Sequence, residues 1–509
     1  MKPPEGYLGA EARITGGPAP ELVEAGYELE IADAPLLHRG LSLADLAHLV
    51  ALVEAGSLGW AQAAPLVERL LALLDTDAEA FPYDATYGDA YNSRERELAR
   101  LLGPGAGWLH LGRTRREAGR IAFRLALRGL LLDLHRDVAA FAATLAGRAT
   151  EHASTVWADS TYLQPAQPST FGHYLGGLAE QAVRHLARLE AAYRLADVCP
   201  AGTGGAGGTL VAFDSERVAS LLGFTEAGRH TRDAMWSVDA LLDAVAAAVQ
   251  ATLTVDQLAE DFEIFASPAF GYVELDASLC RASVLMPQKR NPYALAVLRG
   301  GAGTLHGRLA GLVTTARTPS ARTDNWLYAY GEVSGALSLA GRLLRLGTAV
   351  VRGLRPRPEA MRAIAAENFV GAADLAESLS RDHHIDYRTT YRIVGRAIAA
   401  AIAGGATQLT ADAVDDAARE VTGAPLGPDP AMVGRCADAA ALVAGRTTPG
   451  GASPKRVQEH AADVLARLAP AEQWRRERQA TNEQAVTDLR AIAGALVRDR
   501  PPDPGISGH

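Results

Sequence analysis

Lysine is nearly missing from this chain. Of its 50 Lys+Arg residues, only Lys2, Lys289 and Lys455 are lysine, so almost every positive charge is carried by arginine. Cysteine is scarce too: Cys199, Cys280 and Cys436 are few and far apart, which excludes a disulfide framework and predicts a reducing, cytoplasmic setting. No uninterrupted apolar run approaches the roughly 18 residues of a membrane span, and Met1–Gly6 has no apolar core like that of a signal peptide. Alternating strand patterns are almost absent. The net charge of -9 argues against nucleic acid and against an anionic membrane surface as partners. It leaves room for an anionic small molecule, because a local basic pocket can sit in an acidic protein.

What the sequence does contain is helical periodicity. Val238, Leu241, Leu242, Val245, Val249, Leu253 and Leu258 recur at three- and four-residue steps, predicting a helix over 236–265. Ile121, Leu125, Leu131, Leu134 and Val138 predict another over 116–150. Further helices are expected at 41–75, 172–197, 294–317, 333–353, 370–380, 387–404 and 455–468. Rods of about 30 residues span about 45 Å and bury their apolar stripes best against one another. The expected fold is therefore all-α, with long helices in a bundle. A chain of 509 residues exceeds one compact core. The expected division is an N-terminal helical domain over 1–115, a central bundle over 116–368, a C-terminal helical domain over 369–500 and a disordered tail over 501–509.

Three polar loops interrupt the helices: Leu109–Glu117, Ser160–Thr170 and Cys280–Pro292. Each sets hydroxyls or cations beside helix ends, where free backbone N–H groups favour anions. Any one of them alone reads as a capped turn. The third resists that reading, because it combines a hydroxyl, an ammonium and an amide in Ser283, Lys289 and Asn291. A lysine in a chain that otherwise uses arginine points to a need for a compact charge rather than a planar fork.

Ala282-Ser283-Val284-Leu285-Met286-Pro287-Gln288-Lys289-Arg290-Asn291-Pro292 resembles the signature loop of the fumarase/aspartase superfamily, Gly-Ser-Ser-x-Met-Pro-x-Lys-x-Asn-Pro. With Gln288 and the other two loops, it is most similar to argininosuccinate lyase. Leu109 to Glu117 resembles that family's Leu-His-x-Gly-Arg-Ser-Arg-Asn-Asp segment, and Thr161 to Pro168 its Thr-His-Leu-Gln-x-Ala-Gln-Pro segment. Ala373–Glu377, Tyr387-Arg388 and Ile393–Gly395 resemble its C-terminal domain. The resemblance runs from about residue 30 to 470. It implies a three-domain fold that tetramerises around a 20-helix core, with each active site built from three loops of three subunits. It also implies a carbon–nitrogen lyase that needs neither cofactor nor metal and releases fumarate from an N-substituted aspartate by anti-elimination. Ser283 maps onto the base. Lys289 and Asn291 map onto ligands of the carboxylate that takes up charge, and Thr114 and Thr161 onto further carboxylate ligands. Arg113, Arg115, Gln164 and Met286 are expected to line the substrate site.

The departures concern the amine side. The family's acid-side histidine and its supporting glutamate are Tyr162 and Ala296 here. Either Tyr162 donates a proton, or it fills space and the leaving group needs none. The family's asparagine after Arg115 is Arg116, and an N-terminal serine falls at Asp45. Its Tyr-Asn-Lys-Asp-x-Gln-Glu-Asp-Lys stretch becomes Thr323–Gly331, with Tyr328 at the Gln position; Asp89 is retained. Arg116 is suited to hold an additional carboxylate bidentately, with Asp45 and Asp89 facing ammonium groups. That polarity fits an aminopolycarboxylate of the ethylenediamine-disuccinate type. Argininosuccinate, nitrosuccinate with release of nitrite, and a non-catalytic crystallin-like role are the alternatives.

Other features read as structural. Cys280 has no paired histidine. His383-His384 lacks metal-ligand spacing on a helix, and His110 and His173 read as supporting residues. Gly202–Gly208 has neither a preceding strand nor a following Gly-Lys-Ser/Thr, so it reads as a connection between core helices.

Overall fold

The computed structural model describes residues 16–317, 326 and 328–498. The expected tail over 501–509, and Thr323 with its neighbours to Asn325, lie outside the described residues. In chain order the elements that matter are α1 (Ala34–Glu54), α2 (Trp60–Leu74), α3 (Ala90–Leu102), α4 (Arg115–Glu151), β1 (Val156–Thr161), β2 (Gln164–Thr170), α5 (Phe171–Ala196) and α6 (Asp239–Phe265). After these come β3 (Arg281–Ala282), β4 (Arg290–Asn291), α7 (Tyr293–Ala316), α8 (Ala329–Gly353), α9 (Ala372–His383), α10 (Tyr387–Ala403), α11 (Ala411–Thr422) and α12 (Pro454–Arg498). The fold is mainly helical.

α4 is the spine. It packs against α1, α5, α8 and α12 on most of its circumference and leaves Gly129, Asp133, Arg136 and Ala140 exposed along one stripe. Phe123, Leu127, Leu131, Leu134, Val138, Phe141 and Leu145 join residues of α5, α6, α7 and α8 in the largest apolar core. A second core gathers α1, α2 and Leu98 of α3 with Leu489 and Ala493 of α12. α1 is the one described helix long and apolar enough to cross a membrane. However, 83% of its apolar window is buried inside the protein, so it is a core helix here. A third core is confined to 375–436.

α12 departs from the sequence expectation. The periodicity suggested a helix over 455–468 within a C-terminal domain, but the helix continues to Arg498 through Pro470. It begins on the central core through Val457, Ala461, Val464 and Leu468 and ends on the N-terminal core. The 369–500 segment thus does not pack as one unit. The second polar loop also differs: it is a β-hairpin, with Thr161 paired to Gln164. Pro165 and Pro168 conceal it in the sequence, since proline is unusual in strands.

Candidate active site

The third loop sits at the end of a short ribbon, with Arg281 paired to Asn291 and Ala282 to Arg290. Arg290 anchors the ribbon to Glu274 and to the Leu275 carbonyl. At the tip, Ser283 Oγ accepts the N–H of Met286 at 3.0 Å, and Lys289 N–H donates to the Met286 carbonyl at 3.0 Å. Asn291 Nδ2 donates to the Arg281 carbonyl at 3.0 Å. An N–H directed at the serine oxygen favours its anionic form. Val284 and Leu285 stand out in solvent beside it.

The hairpin carries the second set. Tyr162 and Leu163 form a two-residue turn with φ of 54° and 59°, the type I′ conformation that both central residues must adopt with positive φ. Neither is a residue that enters this region cheaply. Tyr162 is 98% exposed, and Thr161 and Gln164 flank it on the surface.

The first loop is different, because its side chains are used internally. Thr114 caps α4, accepting the Glu117 N–H at 3.5 Å, and donates to the Gly204 carbonyl at 3.2 Å. The Glu117 carboxylate accepts the N–H groups of Gly202 and Gly204 at 2.9 and 2.8 Å and the Thr203 hydroxyl at 2.9 Å. The glycine-rich stretch is therefore an anion cradle filled by the chain's own glutamate. Arg113 donates to Asp45 Oδ1 at 2.5 Å, with both side chains 1% exposed, and Arg94 stands 3.7 Å from the other oxygen. This corrects two expectations. Asp45 does not face a ligand, because two guanidinium groups enclose it, and Arg113 is its partner rather than part of a substrate surface.

Beyond this network lies a cavity of about 170 Å³ lined by Glu30, Asp33, Asp89, Arg115, Arg116 and Arg120, with Tyr91, Trp326 and Tyr330 among its walls. Arg115 donates to Asp89 at 2.7 Å, while Asp89 also caps α3 through the Asn92 N–H. Arg116 stacks over Trp236 at 5.7 Å. Burial pushes the Asp33 carboxyl up to about 7, against a backbone N–H of Gly331 that favours its anion. Burial also raises Glu30, and the Asp89 charge adds to the effect. The lining includes no residue of 160–164 or 283–291. Tyr328 is not in it either: it is half-exposed beside a separate cleft formed by α7 and the start of α8. Of the predicted site residues, the structure brings together Asp89, Arg115 and Arg116 in this cavity. Glu30, Asp33, Arg120, Trp326 and Tyr330 were not anticipated. Tyr330 and Trp326 lie within the stretch whose departure from the family pattern was visible, and that was the only signal for them.

A family profile described as lyase matches residues 44–307. Argininosuccinate lyase of Halobacterium salinarum is 32% identical over 455 residues, covering 89% of this chain and 91% of that protein. A solved structure of EDDS lyase in complex with formate superposes with a TM-score of 0.83 at 27% identity, covering 95% of this chain and 97% of its own. The 3-carboxy-cis,cis-muconate lactonizing enzyme from Pseudomonas putida shares the fold alone, at a TM-score of 0.68 and 20% identity over 89% of this chain and 100% of that one. The fold and the loops define a carbon–nitrogen lyase of the fumarase/aspartase superfamily. Within that superfamily, the chain belongs to the argininosuccinate lyase family.

Proposed function

We propose that this lyase eliminates fumarate from an N-substituted aspartate whose amine half is an aminocarboxylate, as in ethylenediamine disuccinate. The cavity lined by Arg116, Glu30, Asp33 and Asp89 carries the proposal, because it offers both signs of charge to the group attached to nitrogen. Ser283 as its alkoxide takes the proton from the carbon beside one aspartate carboxylate. The electron pair spreads onto that carboxylate, held by Lys289 and Asn291, with Thr161 on the second carboxylate. The pair then returns to form the carbon–carbon double bond, and the C–N electrons leave with nitrogen. A nitrogen already protonated departs as a neutral amine; otherwise Tyr162 supplies the proton.

The same reading makes the working unit a homotetramer. Tyr162, Leu163, Leu210, Val284 and Leu285 are all exposed on the single chain, and apolar loop tips of this kind are normally covered in an assembly. Exclusion of water by the closed loops would strengthen each polar contact with substrate.

The test is fumarate release, followed by its ultraviolet absorbance, from ethylenediamine disuccinate, other N-substituted aspartates, argininosuccinate and nitrosuccinate. Fastest turnover of an aminopolycarboxylate is expected. Argininosuccinate is the competing substrate, favoured by the halobacterial relative, and faster cleavage of it would reverse the assignment. Fumarate from none of them would remove the lyase reading.

A further inference from the structure

Three arginines project from one side of α4 into the protein at four-residue intervals: Arg120, Arg124 and Arg128, all buried. Their partners differ. Arg128 meets the Asp197 carboxylate at 2.6 Å and two backbone carbonyls. Arg124 donates to the Leu195 carbonyl at 2.8 Å. Arg120 opens on the cavity of Glu30, Asp33, Asp89 and Arg116. It is only 5% exposed, and among the described residues no carboxylate lies within ion-pair distance of it.

The walls hold this guanidinium in place without neutralising it. Arg120 Nε donates to the Met235 carbonyl at 3.2 Å, and Nη1 donates to the Tyr330 hydroxyl at 2.6 Å. Its plane lies 3.6 Å over the Trp326 ring, with Trp236 on another side at 5.6 Å. Tyr330 is itself fixed by stacking on Phe123 at 4.4 Å. A buried cation without a counter-charge is costly, and aromatic faces recover only part of that cost. A planar fork, fixed by an aromatic box and open toward a cavity, is the arrangement that receives a carboxylate in two parallel hydrogen bonds. Across the same cavity, Glu30 and Asp33 supply the opposite sign. Arg115 is engaged with Asp89.

We infer that Arg120 is a specificity-determining residue that binds a carboxylate on the leaving amine, so that the amine released with fumarate is an amino acid or a related aminocarboxylate. Tyr330 acts as a positioning residue through Arg120. Glu30 and Asp33 face the amine's second, cationic nitrogen where one is present. The inference rests on the lyase reading above and assigns the carboxylate of the amine half to one residue. A cavity of about 170 Å³ accommodates roughly ten water-sized groups, which suits an aminocarboxylate of that size.

The reverse reaction tests this directly. In it, the amine nitrogen bonds to one vinyl carbon of fumarate and a proton adds to the other, with no other reactant. Matched amines with and without a carboxylate, such as β-alanine against propylamine and N-(2-aminoethyl)glycine against ethylenediamine, are offered to the wild-type protein, Arg120→Gln, Arg120→Lys and Tyr330→Phe. The wild type is expected to show a KM at least tenfold lower for the carboxylate-bearing member of each pair. Arg120→Gln should bring that ratio close to one, a loss of about tenfold or more, as for a lost charge-assisted bond. Arg120→Lys should restore it in part, and Tyr330→Phe should reduce it less than Arg120→Gln. Because each variant is judged by a ratio between paired amines, general damage to folding cancels. Should Arg120→Gln not fold, Arg120→Lys and Tyr330→Phe give the same ratio test. A wild type that adds amines without regard to a carboxylate, or variants that leave the ratio where it was, would overturn the role of Arg120 alone. A wild type that adds no amine to fumarate would overturn the lyase reading and this inference with it.

Discussion

Asp33 accepts the backbone N–H of Gly331, and a Cβ built at Gly331 would lie 2.9 Å from Asp33 Oδ1. Glycine at 331 is thus what lets this carboxyl reach the backbone of α8 inside the cavity. The folded chain holds the Asp33 proton to about pH 7, whereas an unfolded aspartate releases it near pH 4. The contribution of Asp33 to stability is accordingly greatest on the acid side and is lost as pH rises through about 7. Asp33→Asn should remove this dependence: its unfolding midpoint in urea should fall less between pH 5 and pH 8 than that of the wild type. Equal slopes would show that Asp33 titrates normally.

Ser283→Ala tests the base. Turnover of the best substrate should fall by about 10²–10⁴-fold, the range for removal of a general base, while sedimentation shows an unchanged assembly. Retention of turnover would require another base.

The Asp45 pair makes a prediction about stability instead of catalysis. Asp45→Ala leaves Arg113 and Arg94 buried without their shared counter-charge. The expected loss is about 3–5 kcal/mol, read from urea unfolding. A loss below about 1 kcal/mol would mean that the site hydrates freely.

The Tyr162–Leu163 turn separates strain from function. Replacing both with Asn-Gly, the pair best suited to a type I′ turn, should stabilise the hairpin by about 1–2 kcal/mol. Fumarate release should fall at the same time, since the Tyr162 hydroxyl is lost. Full turnover in the double variant would remove Tyr162 from the chemistry.

Much of the scaffold was legible because apolar residues recur at three- and four-residue steps along its central helices. The predicted 116–150 and 236–265 are observed as Arg115–Glu151 and Asp239–Phe265. The hairpin was not, since its strands contain prolines and polar residues that lack a two-residue alternation. The full length of α12 was hidden by Pro470 and the charged run after it. In the site, the Ser283 loop was readable because its residues act within one short segment. Asp45 was misplaced because its partner Arg113 lies 68 residues away. Tyr328 holds the family's Gln position yet lines a separate cleft, while Tyr330 two residues on lines the cavity, because family position says nothing of which side of a helix start faces it. Arg120 is one of three arginines at four-residue intervals in its helix, and only its neighbours in space, Trp326, Trp236 and Tyr330, distinguish it from the two that bind carbonyls and Asp197.

The path of α12 also governs the order in which the molecule is completed. Trp60 donates its indole N–H to the Leu496 carbonyl, 436 residues further along the chain, and Leu489 and Ala493 fill the core under α1 and α2. During synthesis at about 5–20 residues per second, that N-terminal core waits roughly 20–90 seconds for its last components. Until they arrive, the part of that core beneath Leu489 and Ala493 stays open, and transiently exposed apolar surface of this kind favours aggregation.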